Sequence, residues 1–198
     1  MKNTIVLITA LLFINCKAQY TSIQSLEGRS SREFGVYYKD LNNFLNTFEG
    51  MYRYTNGATS FEIILQKKIL SSANAYYYDD MLIGGYRYVE NGVEKVNVLN
   101  DLNNNYPNGS QYKIYGNGIR TGKRLCPECE PNEKWLYGTI VDPVSHSVDN
   151  LYIRKTVVNG EPAIKIFILH ELYARSSDAP PIPISYPLSQ EIILIKQP

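Results

Sequence analysis

The chain has 198 residues, of which 44% are hydrophobic and 20% are charged, and this is enough for one compact domain with a sizeable core. Lysine and arginine number 20 and aspartate and glutamate 19, so the net charge is +1. This balance excludes a highly charged disordered chain, and it gives no electrostatic reason to expect a nucleic-acid partner.

The first residues have the pattern of a secretory signal peptide. Lys2 supplies a positive charge, and an apolar run follows from Ile5 to Ile14. This run is too short to cross a bilayer, which needs about 20 residues. It ends at Cys16, and a cysteine directly after such a run resembles the lipidation site of bacterial lipoproteins. We therefore expect a signal peptide over residues 1–15 and a lipid on Cys16. The alternative is an ordinary signal peptide with a chance cysteine.

A lipid on Cys16 implies attachment to the cell envelope, and the outer membrane, on its periplasmic or surface face, is the expected location. Residues 16–34 are rich in serine and lack sustained periodicity, which predicts a lipid anchor followed by a linker. Between Val36 and Leu45 the apolar residues have mixed helical spacing, which predicts one short helix or 3₁₀ segment. Residues 35–198 are then a single domain.

From Phe48 onward, apolar and polar residues alternate with a period of two, as half-buried β-strands do. Asn-Gly pairs at residues 56–57, 91–92 and 159–160 lie between strand runs and predict tight hairpins. Sequential hairpins make an antiparallel up-and-down meander, and one of eight or nine strands usually closes into a barrel. The predicted strands are 49–54, 59–68, 82–90, 94–100, 112–120, 135–142, 151–158, 161–173 and 191–197. The predicted inward residues are Phe61, Ile63, Leu65, Val96, Val98, Ile164, Ile166 and Ile168.

Several short motifs carry a resemblance to known proteins. Gly50-Met51-Tyr52, after a short helical turn, resembles the entrance of a calycin (lipocalin-like) barrel, where Gly-x-Trp opens the first strand. The chain also resembles uncharacterised small lipoproteins of Bacteroidota, through Cys-Lys-Ala-Gln at residues 16–19, Gly-x-Tyr-x-Tyr at residues 84–88 and a closing strand at residues 192–196. The resemblance implies a calycin-like barrel and no established activity.

Cys126 and Cys129 form a Cys-x-x-Cys motif. A redox role would require a helix after the first cysteine, and a zinc site would require a second pair of ligands. We expect a disulfide that closes a tight turn, as suits an oxidising compartment, with metal binding and a free or redox-active pair as the alternatives. Such a bridge closes a very short loop, so it contributes at most about 2 kcal/mol to stability.

Other polar motifs give little support for catalysis. His146 lies in a predicted loop and His170 late in a predicted strand, and either type of position can hold a general base. The sequence lacks a Gly-x-Ser-x-Gly elbow. Asp101 begins a run of oxygen ligands that lacks the glycine and the final acid of a calcium-binding loop. We therefore expect no enzyme, no cofactor and no resident metal.

Aromatic residues are the best candidates for ligand contact, because tyrosine combines apolar area with a hydroxyl group. The candidates are Tyr86, Tyr88, Trp135 and Tyr137. The large inward residues favour a filled core over a cavity. The proline-rich residues 176–187 are expected to cover a barrel mouth or a sheet edge.

Three functions stay open at this point. The favoured one is a cell-envelope lipoprotein that serves as a non-enzymatic structural or interaction module, attached to the membrane by its lipid and contacting another envelope protein. The second is a protein that binds a small apolar ligand inside the barrel, and the third is an enzyme.

Overall fold

A computed structural model describes residues 20–29, 31–73, 76–122, 129–170, 183–188 and 190–198. Within these residues the chain forms one eleven-stranded sheet, and the predicted all-β fold is confirmed. The strands are β1 (Ser22–Ser25), β2 (Val36–Lys39), β3 (Gly50–Asn56), β4 (Thr59–Ala73), β5 (Tyr77–Glu90), β6 (Val93–Asn97), β7 (Ile114–Thr121), β8 (Lys134–Val141), β9 (Val148–Val158), β10 (Glu161–Leu169) and β11 (Glu191–Lys196).

Eight of the described strands close into a barrel. Each barrel strand pairs antiparallel with its neighbour in the chain, except that β6 pairs with β5 outside the barrel and β5 continues directly to β7. The closing pair joins β11 to β3 through Ile195 opposite Arg53 and Lys196 opposite Tyr52. All nine predicted strands are present, and the pairing of β11 with β3 shortens the exposed edges that invite aggregation.

The Asn-Gly turns form where the sequence predicts hairpins. Asn91-Gly92 and Asn159-Gly160 both have positive φ at the two turn residues, as a type I′ turn requires. The hairpin between β3 and β4 turns one residue later, on Gly57 and Ala58, and Gly57 takes positive φ.

The predicted entrance of the barrel is also confirmed. Gly50 begins β3 with φ +136°, and a Cβ at this position would lie 2.6 Å from Lys196 Cε. Glycine adopts this φ readily, and a side chain here would displace the Lys196 side chain, whose ammonium lies 5.8 Å from the centre of the buried Tyr52 ring. The two ends of the barrel sequence therefore meet at its closing seam.

The segment before the barrel differs from the prediction. Residues 36–39 form strand β2 and not a helix, and the 3₁₀ turn lies later, at Leu45–Phe48. The predicted linker contains β1, which pairs parallel with β2, and β2 pairs parallel with β5. The helix prediction is wrong because Val36, Tyr37 and Tyr38 are all buried, and a strand buried on both faces has no alternation.

A buried polar network attaches β2 to the barrel. The Tyr37 hydroxyl donates to Asp80 Oδ1 at 2.6 Å, and the backbone N–H of Asp40 donates to Asp80 Oδ2 at 3.0 Å. Lys67, on β4, places its ammonium 3.1 Å from Asp40 Oδ2 and 3.7 Å from Asp80 Oδ2. Since the Asp40 carboxylate also accepts the N–H groups of Phe44 and Leu45, the same network positions the 3₁₀ turn that packs beneath the barrel.

Candidate functional site

The described part of the barrel interior is filled by side chains. The inward residues on β4 and β10 are buried as predicted, and Phe61, Ile63 and Leu65 have no exposed surface. Val96, on β6, is buried in the same core, and Val98 packs against it from the end of that strand. At the end where β3 begins, Leu45 and Phe48 of the 3₁₀ turn are fully buried against this core.

The opposite end, where β8 and β10 end and β9 and β11 begin, is covered by residues 183–188, which we name the cap. Tyr186 is 3% exposed, and its ring lies 5.7 Å from the ring of Tyr86 on β5. Ile184 and Leu188 are partly buried against the core. Of the two positions predicted for the proline-rich residues 176–187, a barrel mouth or a sheet edge, residues 183–187 take the first, while residues 176–182 lie outside the described residues.

Two buried aspartates hold the cap by hydrogen bonds. Asp142, which follows β8, accepts the Ser185 N–H at 2.7 Å and the Ser185 hydroxyl at 2.6 Å. Asp149, near the start of β9, accepts the Tyr186 hydroxyl at 2.5 Å. Both aspartates lie where a strand ends or begins, so the sheet fixes the positions of their carboxylates beneath the cap.

His170 joins the same cluster from the end of β10. Its Nδ1 lies 2.6 Å from Asp149 Oδ1, and the Ser147 hydroxyl, 2.9 Å from Asp149 Oδ2, lies 3.4 Å from the same Nδ1. In a Ser-His-Asp triad the serine faces Nε2 and the acid faces Nδ1. Here both face one ring nitrogen, so the arrangement orients the imidazole and does not form a proton relay to serine. His146 lies apart, exposed in a turn with φ +58°.

The structure separates the four predicted aromatic residues into two pairs. Tyr86 and Tyr88 point inward, and both rings pack edge-on against Phe61. Trp135 and Tyr137 lie on the outer face, where each packs 5.4 Å from the Tyr152 ring. The four residues therefore do not line one site.

A side cleft opens beside the cap, between the β3–β4 hairpin and the start of β11. It measures about 300 Å³, and Tyr54 and Tyr88 line it together with Ile192. Beyond Arg53 the residues of β3 have no ladder partner in β11, so the two strands part at this end of the seam. This cleft is where a ligand could reach the predicted Tyr88.

The cysteine predictions are not tested. Cys16 and Cys126 lie outside the described residues. Cys129 is fully buried, and Arg154 Nη1 lies 3.1 Å from its sulfur. Among the described residues, no group of three or more histidine, cysteine, aspartate or glutamate side chains could hold a metal ion.

Comparison with known proteins places the chain in a family. Residues 1–197 match a family of unknown function, DUF6705. The chain belongs to this family. Neither the curated proteins nor the solved structures contained a match.

The electrostatics of the cap explain which of its groups stay protonated. Burial, followed by the hydrogen bond to Asp149, raises the pKa of Tyr186 far above its usual range. Burial likewise raises the pKa of Tyr86, whose hydroxyl donates to the carbonyl of Val141 at 2.9 Å. Burial alone would raise the pKa of Asp142, but hydrogen bonds from Ser185, Val144 and Ser145 outweigh it and lower that pKa. The tyrosines are thus hydrogen-bond donors and Asp142 is an anion.

We expect the cap to lose stability in acid. Because the pKa of Asp142 is lower in the folded state, its contribution is present above the ordinary value of 3.8 and is lost as the pH falls through the folded value below it. At pH 6, Asp142→Asn should lower the free energy of unfolding by about 2 kcal/mol, since hydrogen bonds to a charged group are lost. The measurement is thermal unfolding of both proteins from pH 6 to pH 2. The difference in Tm should shrink below pH 4, and a constant difference would contradict this role of Asp142.

Proposed function

We propose that this protein is a lipid-anchored interaction module of the cell envelope that uses its outer surface and carries out no catalysis. The observation that supports this best is the filled interior, in which inward side chains from barrel strands pack against one another while the cap covers one end. A carrier that transports a ligand inside its barrel needs small inward residues to leave space. Here the inward residues are mostly large, so contact with partners falls to the exterior.

The lipid anchor is proposed from the sequence. The apolar run from Ile5 to Ile14 ends at Cys16, and diacylglyceryl on that cysteine would attach the chain to the membrane. No helix among the described residues is long and apolar enough to span a bilayer. We place the anchored protein at the outer membrane, on its periplasmic or surface face.

The proposed Cys126–Cys129 disulfide fits the same compartment. Bridges of this kind persist in oxidising surroundings such as the bacterial periplasm. The buried sulfur of Cys129 lies beside the outer face of β9, where it contacts Arg154. Because both cysteines lie between the end of β7 and the start of β8, a bridge would close a tight turn within that connection.

The lipid anchor is tested by Cys16→Ala. We expect the wild-type protein to fractionate with membranes and to begin at Cys16 with an acyl mass. The variant should accumulate as an unmodified precursor or leave the membrane fraction. Mass spectrometry of the purified mature N-terminus decides the matter. The lipoprotein assignment would be overturned if the mature wild-type protein began at a residue other than Cys16 and carried no acyl group.

A second function is favoured by the side cleft alone. Tyr54, Tyr88 and Ile192 could contact a small apolar ligand at the parted end of the seam. Its test is organic extraction of the protein purified without added lipid. Co-purified lipid in a one-to-one ratio, reduced by Tyr88→Ala, would favour this ligand carrier over the interaction module.

A further inference from the structure

A second cleft lies at the other end of the barrel, between the segment that precedes β2 and the strand β7. It measures about 390 Å³, and we name it the arginine cleft because three arginines line it. These are Arg29, Arg32 and Arg120, and Ser31, Asn117 and Gly118 lie among them. Of the residues that the structure describes, no carboxylate lines this cleft.

A bulge in β7 builds the base of the arginine cleft. The register with β8 shifts between Gly116 and Gly118, so Asn117 is the extra residue, and such a bulge redirects a side chain. Asn117 is buried, and its Nδ2 donates to Asp79 Oδ2 at 2.7 Å. Its Oδ1 accepts from Arg29 Nη2 at 2.6 Å. The bulge thus fixes one arginine of the cleft through a buried amide.

The Arg29 guanidinium is held in place before any ligand arrives. Its Nη1 lies 3.3 Å from Asp79 Oδ2, and Asp79 on β5 is almost fully buried. Its guanidinium carbon also lies 5.5 Å from the centre of the Tyr38 ring. Asp79 balances the charge of Arg29, so the other two arginines determine the net charge of the cleft.

Arg32 and Arg120 are oriented by aromatic rings and not by acids. The guanidinium of Arg32 lies 4.9 Å from the centre of the Tyr77 ring, and that of Arg120 lies 5.7 Å from the centre of the Tyr137 ring. In the described part of the chain neither has a carboxylate partner. A guanidinium stacked on a ring keeps the N–H groups at its edge available to bind oxyanions. Arg120 uses one of them, since its Nη1 donates to the Ile119 carbonyl at 3.2 Å.

The cleft therefore keeps a net positive charge, because Asp79 is one carboxylate beside three arginines. Burial lowers the pKa of Arg29, and the nearby charge of Arg32 lowers it further, which shows that these two cations repel each other. An anion between them would remove that repulsion. Asn117 and Ser31 add neutral polar groups to the same lining.

We propose that the arginine cleft binds a phosphate group, carried either by a free phosphate compound or by the headgroup of a phospholipid. Tetrahedral phosphate oxygens accept two N–H groups from a guanidinium fork. A phosphate monoester carries up to two negative charges and a phosphodiester headgroup carries one, and both meet the two arginines that lack acid partners. This site lies outside the barrel interior and does not depend on the lipid at Cys16.

The test is calorimetric titration of the full chain, in a phosphate-free buffer with non-ionic detergent, with inorganic phosphate. We expect saturable one-to-one binding, which Arg32→Gln and Arg120→Gln each weaken about tenfold, the effect of losing one charge-assisted contact. Arg32→Lys keeps the positive charge but lacks the planar fork, so its affinity for phosphate should lie between those of the wild type and Arg32→Gln. Both arginines are exposed, so the variants should keep the wild-type Tm.

The matched control is Arg53→Gln, an exposed arginine on β3 that is not among the residues lining the cleft. It should bind phosphate like the wild type. The source is assigned by repeating the titration with dihexanoyl phosphatidylglycerol below its micelle concentration. Tighter binding of this lipid than of phosphate identifies a headgroup site, and the reverse order identifies a site for free phosphates. No heat with either probe, or equal weakening by Arg53→Gln and Arg32→Gln, would overturn the proposal.

Discussion

Truncation of Ile166 to alanine is expected to lower the free energy of unfolding by about 2–5 kcal/mol. Ile166 lies on β10, is 1% exposed, and packs in the core that fills the barrel. Removing its outer carbons loses burial free energy and leaves a cavity that the surrounding strands can only partly close. Denaturant unfolding of both proteins gives the difference directly.

Ile69→Ala is the matched control, because the same substitution is made on another barrel strand. Ile69 lies on β4 and is 63% exposed. Its truncation should lower the free energy of unfolding by less than about 1 kcal/mol, which is the full range that strand propensities span. If Ile166→Ala cost no more than Ile69→Ala, the interior would not be tightly packed. The argument for an exterior function would then fail, and the ligand carrier would become the better proposal.

The sequence predicts the barrel because its signals are local. Alternation assigns Ile164, Ile166 and Ile168 to one face of β10, and the Asn-Gly pair at residues 159–160 marks the turn before it. Strand β1 has no such signal, since most of Ser22–Ser25 is exposed. Strand β2 has none because both of its faces are buried. The parallel pairing of β2 with β5 joins segments that lie far apart in the chain, and turn chemistry does not indicate such pairing.

The polar sites were predicted less well, for a physical reason. Asp142, Asp149 and His170 each stand alone at a strand end, and periodicity does not show which polar residue the fold will bury. Their convergence with Tyr186 depends on the path of the cap. The outward position of Trp135 and Tyr137, by contrast, follows from the aliphatic residues Leu136 and Ile140 at the alternate positions, which take the interior.

The arginine cleft could not be predicted from the sequence for a similar reason. Arg29 lies in a segment predicted as a linker, and Arg120 lies 91 positions later, near the end of β7. The bulge at Asn117 that links them is not visible in the sequence, since Asn117-Gly118 has the composition of a turn. Knowledge of the register is needed before these residues can be assigned to one site.

Replacement of Lys67 by methionine is expected to lower the free energy of unfolding by about 3–5 kcal/mol at neutral pH. The Lys67 side chain is 9% exposed, and its ammonium lies between the buried carboxylates of Asp40 and Asp80. It also donates to Asn46 Oδ1 at 2.9 Å. Methionine has a similar length and fills the space, but it leaves two carboxylates in a poorly solvated place without their cation.

The matched control is Lys95→Met, which removes the same charge from an exposed ion pair with Glu90. Such pairs contribute little, so the loss of unfolding free energy should stay below about 1 kcal/mol.

Adding Asp80→Asn to Lys67→Met removes one of the two carboxylate charges left without their cation. It should recover part of the lost stability, with a coupling free energy of about 1–3 kcal/mol. Denaturant unfolding of the wild type and the four variants, including Asp80→Asn alone, completes the cycle. Because Asp40 and Asp80 connect β2 and the 3₁₀ turn to the barrel, the result also measures how strongly this network holds the N-terminal segment. A loss no larger than that of Lys95→Met would show that the network is not a source of stability.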